Sequence, residues 1–173
     1  MSAEVRLTAD VQGWTRYSEL GESERTEYLR LASELTNAIY DGLDLRSEIR
    51  AITAQGLGDT VLLSDGSRLA GFALCHCGAN TEAGNDTCYI KFAAVRPGRT
   101  AARLFDRLLA ACDSFAVSRR LKRIEAGVNL ARQEAHQKML ARGFRIAFQG
   151  VTMHKPNEPG YSRSGMYVID DWR

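Results

Sequence analysis

The stretch of sequence that decides the fold is residues 89–109, YIKFAAVRPGRTAARLFDRLL. Residues 89–95 have the composition of a β-strand, and an amphipathic helix pattern follows the turn segment 96–102, RPGRTAA. A turn of small residues between a strand and a helix exposes backbone N–H groups at the helix N-terminus, where the helix dipole favours an anion. Arg96 and Arg99 add positive charge that suits phosphate. The stretch therefore predicts a strand–turn–helix unit that binds a phosphate-bearing ligand.

The alternative is an ordinary strand–loop–helix connection with solvated arginines, because short turns that contain glycine are common. Gly98 is the only glycine in this turn, and no Gly-Lys-Ser or Gly-Lys-Thr is present. The turn therefore matches neither a P-loop nor a dinucleotide-binding fingerprint.

The composition is typical of one soluble globular domain. The chain has 173 residues, of which 45% are hydrophobic and 25% charged, and this predicts a single domain over 1–173 with its own core. The net charge of +2 is too small to indicate nucleic acid as a partner. No apolar run approaches the length of a membrane helix, and residues 1–10 lack the basic and apolar regions of a secretory signal. We expect a cytoplasmic protein with no membrane-spanning segment.

The four cysteines are Cys75, Cys77, Cys88 and Cys112, and in a cytosolic chain they are expected to be reduced thiols. Cys75 and Cys77 lie two residues apart in a strand-like run, so they share a face. Paired C-x-x-C spacings are absent, and buried or half-buried thiols are therefore favoured over a metal cluster that would include His76. No metal site is predicted.

Hydrophobic periodicity predicts a mixed α/β sheet with the element order β-αα-βββ-α-β-α-ββ. The predicted strands are 5–7, 60–64, 69–77, 88–95, 124–128, 144–154 and 166–169, and the predicted helices are 23–40, 45–55, 100–118 and 133–142. The helix at 100–118 carries an apolar stripe at positions 101, 104, 105, 108, 112 and 115. Asp65 and Gly66 between two apolar runs predict a hairpin turn, and residues 78–87 predict a polar loop.

A second group of notable residues begins at Asn129, just beyond the predicted strand at 124–128. A side-chain amide in this position is able to contact a ligand, although capping of the next helix is its commoner role. Gly143 follows the helix at 133–142, as a C-cap glycine does, and Phe144 is expected in the core.

These two segments together resemble the GNAT N-acetyltransferase family, and the resemblance covers residues 60–169. Its first motif has a strand ending in V-x-P before a glycine-containing turn and a helix, which Val95-Arg96-Pro97 matches. Asn129, Ala135, Gly143 and Phe144 match its second motif in order. The resemblance implies one GNAT-like domain with a mixed central sheet flanked by helices, in agreement with the element order.

The resemblance also implies acetyl-CoA, or a related acyl-CoA, as cosubstrate and a primary amine, in a small molecule or a peptide, as acceptor. The residues that it assigns to the cofactor are Val95, Arg96, Pro97, Gly98, Arg99, Thr100, Ala101 and Ala102 in the first motif, and Asn129, Arg132 and Met139 in the second. Thr100 and Ala102 stand where glycines are usual, and their small side chains still let a pyrophosphate approach the backbone.

The resemblance places the acetyl carbonyl at the backbone N–H of Val95, which is therefore the expected oxyanion donor. The proton-transfer groups of the family are changed here. Met139 stands where a tyrosine often protonates the leaving thiolate, and methionine cannot donate a proton. The strand before the turn has Tyr89 and Lys91 where a carboxylate base is frequent. Tyr89 and His154 join Val95 as catalytic candidates.

Two other functions stay open at this stage. The missing proton-transfer groups favour a catalytically silent acyl-CoA-binding module that regulates a partner. A toxin-like enzyme that acetylates aminoacyl-tRNA is disfavoured by the small net charge. The sequence also leaves open whether the protein forms a homodimer.

Overall fold

A seven-stranded mixed sheet with helices on both faces forms the centre of the molecule. The computed structural model describes residues 1–4, 12–151 and 164–170. Its strands are β1 Ser2–Glu4, β2 Trp14–Arg16, β3 Gly58–Asp65, β4 Arg68–Gly78, β5 Gly84–Val95, β6 Arg123–Ala126 and β7 Val168–Asp170. Its α-helices are α1 Glu22–Ile39, α2 Arg46–Ala54, α3 Ala101–Ser118 and α4 Gln133–Ala141. The predicted α/β class is confirmed.

The strands lie in the order β1-β6-β5-β4-β3-β2, and β7 pairs with β5 outside this path. The pairs are antiparallel except β5 and β6, which run parallel. β6 pairs with residues 87–90 of β5, and β7 pairs with residues 92–94. Since β4 occupies the other edge of β5, β6 and β7 share one edge of this strand.

A β-bulge separates these two parts of β5. Leu74 and Cys75 of β4 lie opposite Phe92 and Ile90, so Lys91 is the extra residue. In a regular strand Ile90 and Phe92 would share a face, but here they pack on opposite sides of the sheet. The bulge therefore changes the face of every β5 side chain that follows it.

Two apolar clusters hold the helices on the sheet. The cluster under α3 and α4 includes Val61, Ile90, Leu104, Phe105, Leu108, Cys112, Phe115 and Met139. The cluster under α1 and α2 includes Leu35, Ile39, Ile49, Leu62, Phe72 and Phe92. The apolar stripe predicted for α3 is buried throughout, and full burial of one such side chain stabilises the fold by about 1.5–3 kcal/mol.

The predicted hairpin between β3 and β4 is confirmed. Asp65 lies opposite Arg68, which leaves a two-residue turn of Gly66 and Ser67. Gly66 has φ of +63°, a backbone conformation that glycine adopts without a steric cost. The turn residues thus fix the register of the two strands.

Two predicted elements differ from the structure. The polar loop predicted at 78–87 is shorter, because β5 begins at Gly84, which lies opposite Gly78 of β4. The prediction of a strand at 144–154 is wrong for residues 144–151, where Arg145 makes only an isolated bridge with Ser2. The outer edge of β6 is already paired with β1, so this segment finds no free strand there.

Several predictions fall outside the described residues, namely the strand at 5–7, the end of the strand at 144–154 and the candidate base His154. β2, at Trp14–Arg16, was not predicted; it pairs with β3 and is too short to show a periodic pattern. In the described ranges, no helix combines the length and the apolar character needed to cross a bilayer.

Candidate functional site

The turn between β5 and α3 leaves the positive end of α3 accessible. Gly98, Arg99 and Thr100 are exposed, and a Cβ placed on Gly98 would meet nothing within 4 Å. Thr100, the N-cap residue, makes no side-chain capping hydrogen bond, and no acidic residue stands in the first turn. The first N–H groups of a helix lack partners within the helix. This end of α3 therefore fits an external anion such as a pyrophosphate.

The two arginines of the turn have different environments. The Arg96 guanidinium lies against the β4 backbone, with Nε and Nη2 each 3.4 Å from the carbonyl oxygen of Leu69. The backbone N–H of Arg96 donates to the carbonyl oxygen of Ala70 at 2.8 Å. Arg96 therefore joins the turn to β4, whereas Arg99 is exposed and better placed for a phosphate. Ala101 is buried and Ala102 half-buried beneath the turn.

The predicted oxyanion donor is paired with the chain itself. The Val95 N–H donates to the carbonyl oxygen of Tyr167 at 3.3 Å. The register continues with Ala94 opposite Val168 and Phe92 opposite Asp170. A second ligand for this N–H would have to replace the Tyr167 carbonyl.

The other side of β7 contacts the loop that follows β6. The Asp170 N–H donates to the carbonyl oxygen of Gly127 at 3.1 Å. The Asp170 carboxylate forms an ion pair with Arg132, whose side chain is fully buried. Arg132 was predicted to flank the cofactor, and its guanidinium is instead bound to the C-terminal strand. β7 therefore fills the gap where β5 and β6 part.

The remaining residues of the second motif have structural roles. The Asn129 side-chain oxygen accepts the N–H of Ala131 at 2.9 Å, an Asx-type turn in the loop before α4, whose N-cap residue is Arg132. Met139 is fully buried in the cluster under α3 and α4. Gly143 ends α4 with φ of +98°, and Phe144 is buried, as predicted.

Tyr89 lines a cavity of about 200 Å³ together with Glu82, Lys91 and Glu125. One Glu82 carboxylate oxygen lies 3.2 Å from the Lys91 ammonium and 3.2 Å from Nδ1 of His76. Partial burial raises the pKa of Glu82, but hydrogen bonds to its own backbone N–H, His76 and Lys91 lower it further, to below its usual range. Lys91 already supplies a cation to this cavity, because its ammonium also lies 5.5 Å from the centre of the Tyr89 ring, and Glu125 is the second carboxylate of the lining.

Sequence reasoning singled out Tyr89 and Lys91 but missed Glu82. Glu82 lies in the short connection before β5, where no periodic pattern marks it. It reaches the cavity because β4 and β5 bring Tyr89 opposite His76, and this long-range pairing is not visible in the local sequence.

A larger opening of about 630 Å³ lies away from the turn, beside the C-terminal end of α3. Its lining includes Glu4, Asp86, Arg120 and Arg123, and Arg123 forms an ion pair with Asp86 at 3.1 Å. None of the predicted site residues lines it. The basic run after α3 is exposed, in agreement with a solvated helix end.

The cysteines are free thiols, as predicted, with Cys75, Cys88 and Cys112 buried and Cys77 half-buried. Contacts with Cys112 and Cys88, together with burial, raise the pKa of the Cys75 thiol well above its usual range. A thiol of this kind is unsuited to nucleophilic chemistry. Among residues 1–4, 12–151 and 164–170, no group of three or more potential metal ligands is found.

Neither a protein-family model nor a curated protein sequence matches this chain. Solved structures with a similar fold are found, however. An apo aminoglycoside antibiotic 6'-N-acetyltransferase from Acinetobacter haemolyticus is 13% identical, with a TM-score of 0.58 over 83% of this chain and 97% of that one. AAC(6')-Iy, in complex with the bisubstrate analogue CoA-S-monomethyl-acetylneamine, is 12% identical, with a TM-score of 0.56 over 82% and 95% of the two chains.

A wild-type protein from Thermus thermophilus is 19% identical, with a TM-score of 0.54 over 74% of this chain and 90% of that one. These likenesses show a shared fold, which is the fold that the resemblance to the GNAT family predicted. Membership of that family stays a prediction.

Proposed function

We propose that the chain is an acyl-CoA-dependent N-acyltransferase that transfers an acetyl or related acyl group directly to a primary amine. The observation that carries the proposal is the uncapped N-terminus of α3 behind the exposed turn 96–100. This turn follows β5, whose parallel partner β6 ends at Ala126 and whose last residues pair with β7. The shared fold with aminoglycoside 6'-N-acetyltransferases supports the proposal.

Acyl-CoA would bring the activated thioester, and the residues of the turn would hold its phosphates. The backbone N–H groups of the turn, apart from that of Ala101, which donates to the Gly98 carbonyl oxygen at 3.0 Å, would bind the pyrophosphate together with the Arg99 guanidinium. Once the Val95 N–H is released from the Tyr167 carbonyl, it would donate a hydrogen bond to the acyl carbonyl oxygen. The half-buried Ala102 would keep the helix close to the ligand.

The acceptor amine would enter the cavity beside Tyr89. Glu82 and Glu125 would attract its ammonium form, and a carboxylate or a water molecule would take the proton that must leave before the nitrogen attacks. The departing thiolate has a reference pKa of about 8.5, so it needs less help from an acid than an alkoxide does. The absence of a proton donor at Met139 then costs about 10²–10⁴-fold at most.

Tyr89 and His154 stay the predicted catalytic side chains, and a small molecule or a peptide stays the predicted acceptor. A cytoplasmic location, a homodimer and the absence of a nucleic-acid partner also stay predictions.

A second candidate is a catalytically silent acyl-CoA-binding module. Two observations favour it, namely the pairing of the Val95 N–H with Tyr167 and the full burial of Met139 where an acid would be expected. Such a module would bind acyl-CoA through the α3 end without breaking the thioester.

One experiment separates the two functions. Acetyl-CoA is incubated with the protein and a panel of amines that includes an aminoglycoside, a polyamine and a lysine peptide, and released CoA thiol is measured beside the heat of acetyl-CoA binding. An enzyme gives thiol that depends on one of the amines, and a silent module gives binding heat alone. Absence of both would refute both candidates.

A further inference from the structure

β7 occupies a slot that is one strand wide. On one side, the Val95 N–H of β5 donates to Tyr167 at 3.3 Å, and on the other the Asp170 N–H donates to Gly127 at 3.1 Å. The parallel pair β5–β6 ends at Ile90 and Ala126, next to the bulge, so the slot begins where this pairing stops. The C-terminal strand therefore substitutes for a sheet contact that β5 and β6 do not make with each other.

The strand is short, but its apolar side chains are buried. It has three residues, at the lower end of the usual range. Val168 and Ile169 are fully buried, one on each face of the sheet, and the Tyr167 ring lies 5.4 Å from that of Phe105. Gly165, with φ of +75°, precedes it in an exposed turn. A ligand that replaces β7 therefore has to compensate for the burial that these side chains lose.

The ion pair of Arg132 with Asp170 couples the strand to α4. Arg132 is the N-cap residue of α4 and is fully buried, so separation from the Asp170 carboxylate removes an ion-pair partner from a buried charge. A ligand in the slot can remove this penalty only if it offers hydrogen-bond acceptors to the guanidinium. The amide carbonyls of the pantetheine arm of an acyl-CoA are such acceptors.

We propose that β7 is an internal strand that closes the acyl-CoA slot, and that pairing of β7 with β5 and binding of the acyl-CoA arm exclude each other. The inference rests on the proposed function. The Val95 N–H cannot donate to Tyr167 and to an acyl carbonyl at the same time. The apparent dissociation constant of acyl-CoA is then its intrinsic value divided by the fraction of molecules in which β7 has left the slot.

A reversible disulfide tests the proposal. Ala94 and Val168 lie opposite each other and pack in the same cluster, so the double variant Ala94→Cys/Val168→Cys would join β7 to β5 when oxidised. Acetyl-CoA is the probe because it has no free thiol. Binding is measured by calorimetry for the oxidised and the reduced protein, with Val168→Cys alone as the matched control and circular dichroism to verify folding.

We expect the oxidised double variant to bind acetyl-CoA at least tenfold more weakly than its reduced form, with no such change in the control. Asp170→Asn, which weakens the ion pair and keeps the shape, should bind more tightly than the native protein. Equal binding by the locked and unlocked forms would overturn the proposal while leaving the proposed function intact. Failure of the native protein, the reduced variant and Asp170→Asn to bind acetyl-CoA would overturn both.

Discussion

Replacement of Arg99 should weaken acetyl-CoA binding while leaving the fold unchanged. Arg99 is exposed at the turn, whereas Arg96 lies against the carbonyl of Leu69. A charge-assisted hydrogen bond to a phosphate contributes about 1.5–3 kcal/mol, and each 1.4 kcal/mol is a factor of ten in affinity. Because the site is open to water, screening favours the lower end of this range. Arg99→Ala should therefore raise the dissociation constant of acetyl-CoA about tenfold at low salt.

The assay is titration calorimetry with acetyl-CoA and with pantetheine, which lacks the phosphates. Arg103→Ala is the matched control, because Arg103 is an exposed arginine in the first turn of α3 whose Nη2 lies 3.4 Å from Asp65. The Arg103→Ala variant removes one positive charge from the same region as Arg99→Ala does. Equal weakening by the two variants would mean that only the general field of the basic turn matters. An undiminished affinity of Arg99→Ala would refute the phosphate assignment.

Three further outcomes are expected. Ala102→Leu should abolish acetyl-CoA binding in a folded protein, and retention of native affinity in calorimetry would show that the turn does not contact the ligand. Met139→Leu should keep kcat within about tenfold and cost less than about 1.5 kcal/mol of unfolding free energy, because volume and polarity are conserved; a loss of kcat beyond about 10²-fold, with folding verified, would give Met139 a chemical role. Since its folded-state pKa is lowered, Glu82 should stabilise the fold above its unfolded pKa of about 4.3 and lose this effect as the pH falls through the folded value. The difference in urea midpoint between the native protein and Glu82→Gln should thus be present near pH 7 and shrink as the pH falls through the folded pKa of Glu82, and a constant difference would contradict it.

Local patterns predicted the parts of the fold that depend on local interactions. The α3 stripe is buried because its spacing of three and four residues needs only one apolar surface to pack against. The hairpin at Gly66 formed as predicted, with its turn one residue later, at Gly66 and Ser67, because the backbone conformation of Gly66 favours glycine. The start of α3 directly after the turn 96–100 belongs to the same class, whereas its binding of an anion stays a prediction.

Long-range pairing accounts for the predictions that differ from the structure. Residues 144–151 have the composition of a strand, but the edge of β6 that they would need is paired with β1. The ion pair of Arg132 with Asp170 and the bond from the Val95 N–H to Tyr167 also depend on this pairing, which the local sequence does not reveal, and the role of both groups beside a ligand stays a prediction. Which segment takes a given strand edge depends on competition among all segments of the chain, and no local pattern contains that information.

The location of β7 determines which part of an acyl-CoA can open the slot. Departure of the strand exposes Val168 and Ile169, at about 1.5–3 kcal/mol each, and separates Arg132 from Asp170. Phosphates bound at the α3 end touch neither, so a nucleotide without the pantetheine arm has the same affinity for the closed and the open forms and cannot shift their equilibrium. Only a ligand that fills the slot with apolar groups and offers acceptors to Arg132 offsets the cost. The proposal therefore requires the acyl-pantetheine arm to drive the opening, while the phosphates supply affinity that is independent of β7.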